Sequence, residues 1–202
     1  MSRWCDDRKP LTFLSIVLLL LIAAAAPPAA LGDSIELGIW NEFSFTSVGV
    51  LAQGCYPADP SPTALDCLPS SAGNSVFAPA PFWMFTLDSK GLLTVTDAFL
   101  HGDAFDVFNG CCALLFLTPA VAADGNGCGD NPQVCLGDPN ASHTIFPLDP
   151  GSYSISIFPY AIADAGAAYF RVTQLPEPCE WQLVSLGLAV LSAARWRRRN
   201  RL

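Results

Sequence analysis

Between residues 33 and 176, apolar side chains recur at about every second position and turn-forming residues interrupt them at short intervals. That pattern commits the segment to strands. Tyr153, Ile155 and Ile157 alternate with Ser152, Ser154 and Ser156, which predicts one buried and one wetted face. Strands are predicted over residues 35–46, 82–87, 92–99, 104–108, 113–118, 153–158 and 168–174. The breaks at Asp88–Gly91, His101–Asp103, Asn109-Gly110 and Asp149–Gly151 carry the residues that turns demand. Seven or eight short strands with tight connections fit an all-β fold, an antiparallel β-sandwich of jelly-roll-like topology. About 140 residues comfortably fill one hydrophobic core.

The chain is 51% hydrophobic and 11% aromatic, so it can bury such a core. Its charges are segregated. Arg3, Arg8 and Lys9 lie at the start and Arg195, Arg197, Arg198, Arg199 and Arg201 at the end. Between 33 and 176 only Lys90 and Arg171 face fourteen acids, a formal charge of −12. A nucleic-acid partner is excluded, because neutralising phosphates takes clustered cations. The acidic body suits divalent-cation bridging to acidic polymers, which makes an extracellular polysaccharide an expected partner.

Both ends are apolar. Leu11–Ala26 is an uncharged, largely aliphatic run behind a cationic flank, followed by Pro27-Pro28 and the small residues Ala30 and Gly32. This predicts a secretory signal over residues 1–32, a signal helix cut by signal peptidase before Asp33. An uncleaved anchor is the plainer alternative, and either way the middle is exported. Trp181–Trp196 is a second apolar stretch running into the arginine cluster. Sixteen helical residues at about 1.5 Å each reach about 24 Å, short of a hydrocarbon layer of about 30 Å. Snorkelling by Arg195 and interfacial seating of the two tryptophans bring a transmembrane helix within reach.

Leu175-Pro176-Glu177-Pro178 stands directly before that stretch. Pro-Glu-Pro, a short apolar helix and a terminal arginine cluster, in that order over residues 175–202, resemble the PEP-CTERM sorting signal of Gram-negative bacteria. The resemblance implies recognition by an exosortase, a membrane cysteine peptidase that removes the tail near Pro176, Glu177 and Pro178. Arg195, Arg197, Arg198, Arg199 and Arg201 would be the membrane-retention cluster, and the inner membrane a transient station before the cell surface or extracellular matrix. Two prolines keep the backbone extended, the form a peptidase binds. Residues 92–110, 151–157 and 168–172 are also similar to stretches common in proteins carrying this signal, which extends the resemblance to the middle domain, residues 33–174, without bringing an activity.

An exported chain permits disulfides. With Cys5 and Cys179 set aside in the terminal segments, six cysteines remain and allow fifteen pairings. Short Pro- or Gly-rich spacings favour Cys55 with Cys67 and Cys128 with Cys135. Cys111-Cys112 either closes as a vicinal pair or stays apart, one thiol buried and one exposed. Zinc is not expected, since there is no C-x-x-C and only two histidines.

No catalytic residue is assigned. His101 and His143 lack a Gly-x-Ser-x-Gly context and read as surface histidines. Calcium is the one cofactor weighed. Residues 124–135 match an EF-hand loop at positions one, three and six but put Cys128 and Cys135 where acids belong. Asp97, Asp103 and Asp106 flank a turn and could gather oxygen ligands; the plainer reading has Asp97 and Asp103 capping turns or one of them pairing with Arg171. The expected role is therefore structural or binding rather than catalytic. A carbohydrate-binding module is the alternative if Phe82, Trp83 and Tyr160 form a flat exposed platform, and a secreted hydrolase comes third.

Overall fold

The structure is a computed structural model, described over residues 32–176. The predicted signal helix, the predicted transmembrane helix, Glu177, Pro178 and the arginine cluster lie outside the described residues. Among the described residues no helix is long and apolar enough to cross a membrane.

Twelve strands and one short helix follow in the order β1 (Asp33–Ser34), β2 (Trp40–Phe45), β3 (Cys55–Tyr56), β4 (Leu65–Asp66), β5 (Ser75–Phe77), β6 (Trp83–Leu87), β7 (Gly91–Thr96), β8 (Ala104–Asn109), β9 (Ala113–Leu117), α1 (Pro132–Gly137), β10 (His143–Leu148), β11 (Gly151–Ala161) and β12 (Gly166–Gln174). Two five-stranded sheets result, ordered β1-β6-β11-β8-β9 and β10-β7-β12-β2-β5, with β3 and β4 forming a small third. The protein is thus mostly β, with packed sheets. The pairings in the body of each sheet are antiparallel. The expectation of a purely antiparallel sandwich needs correction at the margins, where β1 joins β6, β2 joins β5 and β3 joins β4 in parallel. Each parallel pair is only two or three residues long, as suits ends stitched on by loops.

The alternation seen in the sequence builds the core. Phe43 and Phe45 from β2, Trp83 and Phe85 from β6, Leu93 and Val95 from β7, Phe105 and Val107 from β8, Ile155 and Ile157 from β11 and Phe170 and Val172 from β12 point into one cluster between the sheets. Phe43 sits at its centre, with the rings of Phe105, Trp83, Phe170 and Phe45 at 5.3 to 6.3 Å. Each fully buried aromatic contributes roughly 2–3 kcal/mol of transfer free energy. Such a stack dominates the stability of the body.

Several elements differ from expectation, among them β3, β4 and β5, which lie in a stretch where no strand is predicted. The strand expected over residues 35–46 is shortened to β2, because a turn with Gly38 at a φ of 84° occupies its first residues and β1 lies before it. The strand expected over residues 92–99 stops at Thr96, and Phe99 takes a φ of 59°, which is rare for a side chain of that size. β10 was hidden by Pro147; it is tolerated because β10 is an edge strand and its missing N–H breaks no central ladder. The face expected to be wet is also partly covered, since Ser156 is fully buried and its hydroxyl donates to the Gly110 carbonyl at 2.7 Å.

Candidate functional site

The outer face of the β10-β7-β12-β2-β5 sheet is roofed by two long loops, residues 46–74 and 118–142. Trp40 and Tyr169 on the sheet, Ala98 beside it and Cys135 and Ala141 from the second loop make a separate small core. Local chemistry folds each roof. In the first, Asp59 accepts from the Gly54 N–H at 2.8 Å and the Ser61 N–H at 2.9 Å, and Cys55 is bonded to Cys67. Gly54 has no room for a side chain, because a Cβ there would lie 2.2 Å from the Ala78 carbonyl oxygen. In the second, Asn131 caps α1 by accepting from the Gln133 N–H, Pro132 sits in its first turn, and Cys128 is bonded to Cys135. Gly127 lets the Phe99 carbonyl pass where a Cβ would be only 1.5 Å away. The roofs also hold each other: Asp130 accepts from the N–H and the hydroxyl of Ser71, both at 2.8 Å, and Asn74 donates to Asn131.

His101 is a surface residue by sequence and a buried one in the structure, only 4% exposed. Its Nδ1 lies 3.0 Å from Asp124 and its Nε2 3.3 Å from Asp138, so the ring ties both ends of the second roof to the turn after β7. His143 donates through Nδ1 to the Ala141 carbonyl. Among the described residues neither imidazole makes a hydrogen bond to a Ser, Thr or Cys side chain, so the geometry of a hydrolytic triad is not assembled around them.

The three acids considered for calcium do not converge. Asp97 and Asp103 come together, but Asp106 projects from the opposite face of its sheet, near Tyr160. Asp97 accepts from the Ala98 and Asp103 N–H groups and Asp103 from that of Ala163, which is turn capping. Burial, then the proximity of the two acids, raises Asp97; burial raises Asp103 as well. Arg171 pairs with neither; its guanidinium lies 4.3 Å over the Trp40 ring. Asp124 of the EF-hand-like stretch is engaged by His101 and by the Asn126 N–H, and Cys128 is in its disulfide.

The aromatic platform also fails on geometry. Trp83 is fully buried and its Nε1 donates to the Pro79 carbonyl at 2.8 Å, which removes it from any exposed surface shared with Phe82 and Tyr160.

Between the first roof, the segment after β7 and the β11–β12 connection lies an open cavity of about 290 Å³, bordered by Asp66, Cys67, Phe99, Leu100, Asp103 and Asp164. Behind it, under the first roof, lies the residue that sequence reasoning passed over. Glu42 is fully buried on β2, and neither carboxylate oxygen has a hydrogen-bond partner. Burial, and secondarily the charge of Asp130, push it up to about 8. One carboxylate oxygen of Glu42 and the sulfurs of Cys55 and Cys67 lie within 4.8 Å of one another. The only sequence signal for this was a charged residue between Trp40 and Phe43 in a strand otherwise rich in aromatics. Cys111 and Cys112 form a vicinal disulfide at the exposed β8–β9 turn. The chain matches no family model, no curated protein and no solved structure in the comparisons made.

Proposed function

We propose that the chain is an exported protein, with a jelly-roll-like sandwich held between an N-terminal signal helix and a C-terminal transmembrane helix. An exosortase releases it from the inner membrane to the cell surface or extracellular matrix, where it has a structural or binding role. The observation that carries this reading is positional. The last strand ends at Gln174, Leu175 is fastened by its N–H to the Lys90 carbonyl and by its carbonyl to the Ser89 hydroxyl, and Pro-Glu-Pro follows at once. A cut at or after Pro176 would therefore leave every hydrogen bond among the described sandwich residues in place. Three disulfides in the described residues suit an oxidising compartment.

Intact mass of the protein recovered from its producing cells tests the reading. The expected species begins at Asp33 and ends within Pro176–Pro178, and replacing Pro176, Glu177 and Pro178 with alanine leaves the tail attached in the membrane fraction. A wild-type product that keeps its arginine cluster would overturn the processing step and make the protein a permanent membrane resident.

A further inference from the structure

The buried carboxyl beside a disulfide has no structural job that its geometry explains. Asp59, Asp97 and Asp103 each accept backbone N–H groups, whereas Glu42 accepts none. The two sulfurs next to it are unequal. Cys55 is fully buried, while Cys67 is partly exposed and borders the cavity. An incoming thiol can reach one sulfur only, and the other must leave as a thiolate in surroundings that cannot solvate it. A neutral carboxyl close by removes that penalty by giving up its proton.

We propose that Cys55–Cys67 is a thiol–disulfide exchange site, in which Cys67 takes the incoming sulfur from a dithiol and Glu42 protonates Cys55. A thiolate of the dithiol attacks Cys67 Sγ, and the electron pair of the protein S–S bond departs with Cys55 Sγ, which receives the Glu42 proton. The second sulfur of the dithiol then attacks its own partner sulfur in the mixed disulfide and expels Cys67 as a thiolate. Of the two protons the dithiol sheds, one restores Glu42 and one protonates Cys67. The protein disulfide is reduced to two thiols and the dithiol is oxidised to its disulfide, a two-electron exchange that runs equally in reverse. Asp66, Asp103 and Asp164 around the cavity set the preference among thiols: neutral and cationic ones enter, and anionic ones are repelled.

The test uses the oxidised full chain in detergent, treated with the monothiols cysteamine and mercaptoethanesulfonate. Samples are acid-quenched and alkylated, and each cysteine is followed by peptide mass. The added thiol is expected on Cys67, the rate per thiolate should fall as pH rises through about 8 as Glu42 loses its proton, and cysteamine should outpace mercaptoethanesulfonate at low salt. E42Q should slow the step about 100-fold, the scale of a positioned general acid, and erase the bend in the pH profile. Addition to Cys55, or a wild-type rate per thiolate that is flat across this range, overturns the proposal. Both of those readouts use wild-type protein, so they decide the matter even if E42Q does not fold.

Discussion

The two faces of the β10-β7-β12-β2-β5 sheet are built on different physics. Its inner face meets the other sheet through Phe43, Phe45, Leu93, Val95, Phe170 and Val172, all buried and all apolar. Its outer face carries Trp40, Glu42, Tyr169 and Arg171 under two roofs fastened by disulfides, a buried histidine and side-chain hydrogen bonds. Apolar burial is indifferent to pH and redox state. The roofed face depends on both, because it buries acids that prefer water and spends cross-links to hold them. One sheet thus separates a part of the molecule that only has to be stable from a part that can respond to its surroundings.

The sharpest way to break this contrast is to remove ring volume on the inner side. Phe43→Ala should cost about 3–5 kcal/mol in chemical denaturation, as large core truncations do, and by the same amount at pH 5 and pH 8. Next comes the acid load on the outer side. A buried acid whose folded pKa is raised binds more protons folded than unfolded, so its cost is absent below the unfolded value near 4 and fully felt above the folded value. For Glu42, raised to about 8, stability should therefore fall as pH climbs from about 4 to 8. Asp97 and Asp103 act in the same direction. Glu42→Gln should flatten that slope by roughly 3 kcal/mol, while leaving any slope from the aspartate pair.

Replacing Cys128 and Cys135 together with serine should cost about 2 kcal/mol, the value for closing so short a loop. The loss should be read first in hydrogen exchange of residues 118–142, with the inner core strands protected as before. Smallest is His101→Ala, expected at about 1–2 kcal/mol from the loss of two charge-assisted bonds partly screened at Asp124 and Asp138. A thermal melt in which His101→Ala proved more damaging than Phe43→Ala would dissolve the distinction between the faces.

The inner face was legible in the sequence and the outer face largely was not. Period-two alternation in β6, β8, β11 and β12 names the residues of the central core, because a half-buried strand leaves a direct trace in composition. Roofing leaves no such trace. Whether Glu42 and His101 are buried depends on how a loop folds back over them, and only a tertiary contact decides it. The same holds for Trp83, whose aromatic character fits an exposed platform and a core equally well. The helix α1 was not expected either, although Asn131-Pro132 carries a start signal: a capping side chain followed by a ring whose missing N–H costs nothing there. β10 escaped because a proline in a strand signals a break unless the strand is known to be an edge.

The fastening of Leu175 to the β6–β7 turn has a mechanical meaning. It ends β12, which lies in the middle of its sheet with β2 on one side and β7 on the other. A pull transmitted through the tail therefore loads a central strand along its length, and its ladder bonds to both neighbours bear the tension together instead of opening singly from a free border. A body tethered at that point would resist traction far better than one hung from β5 or β9.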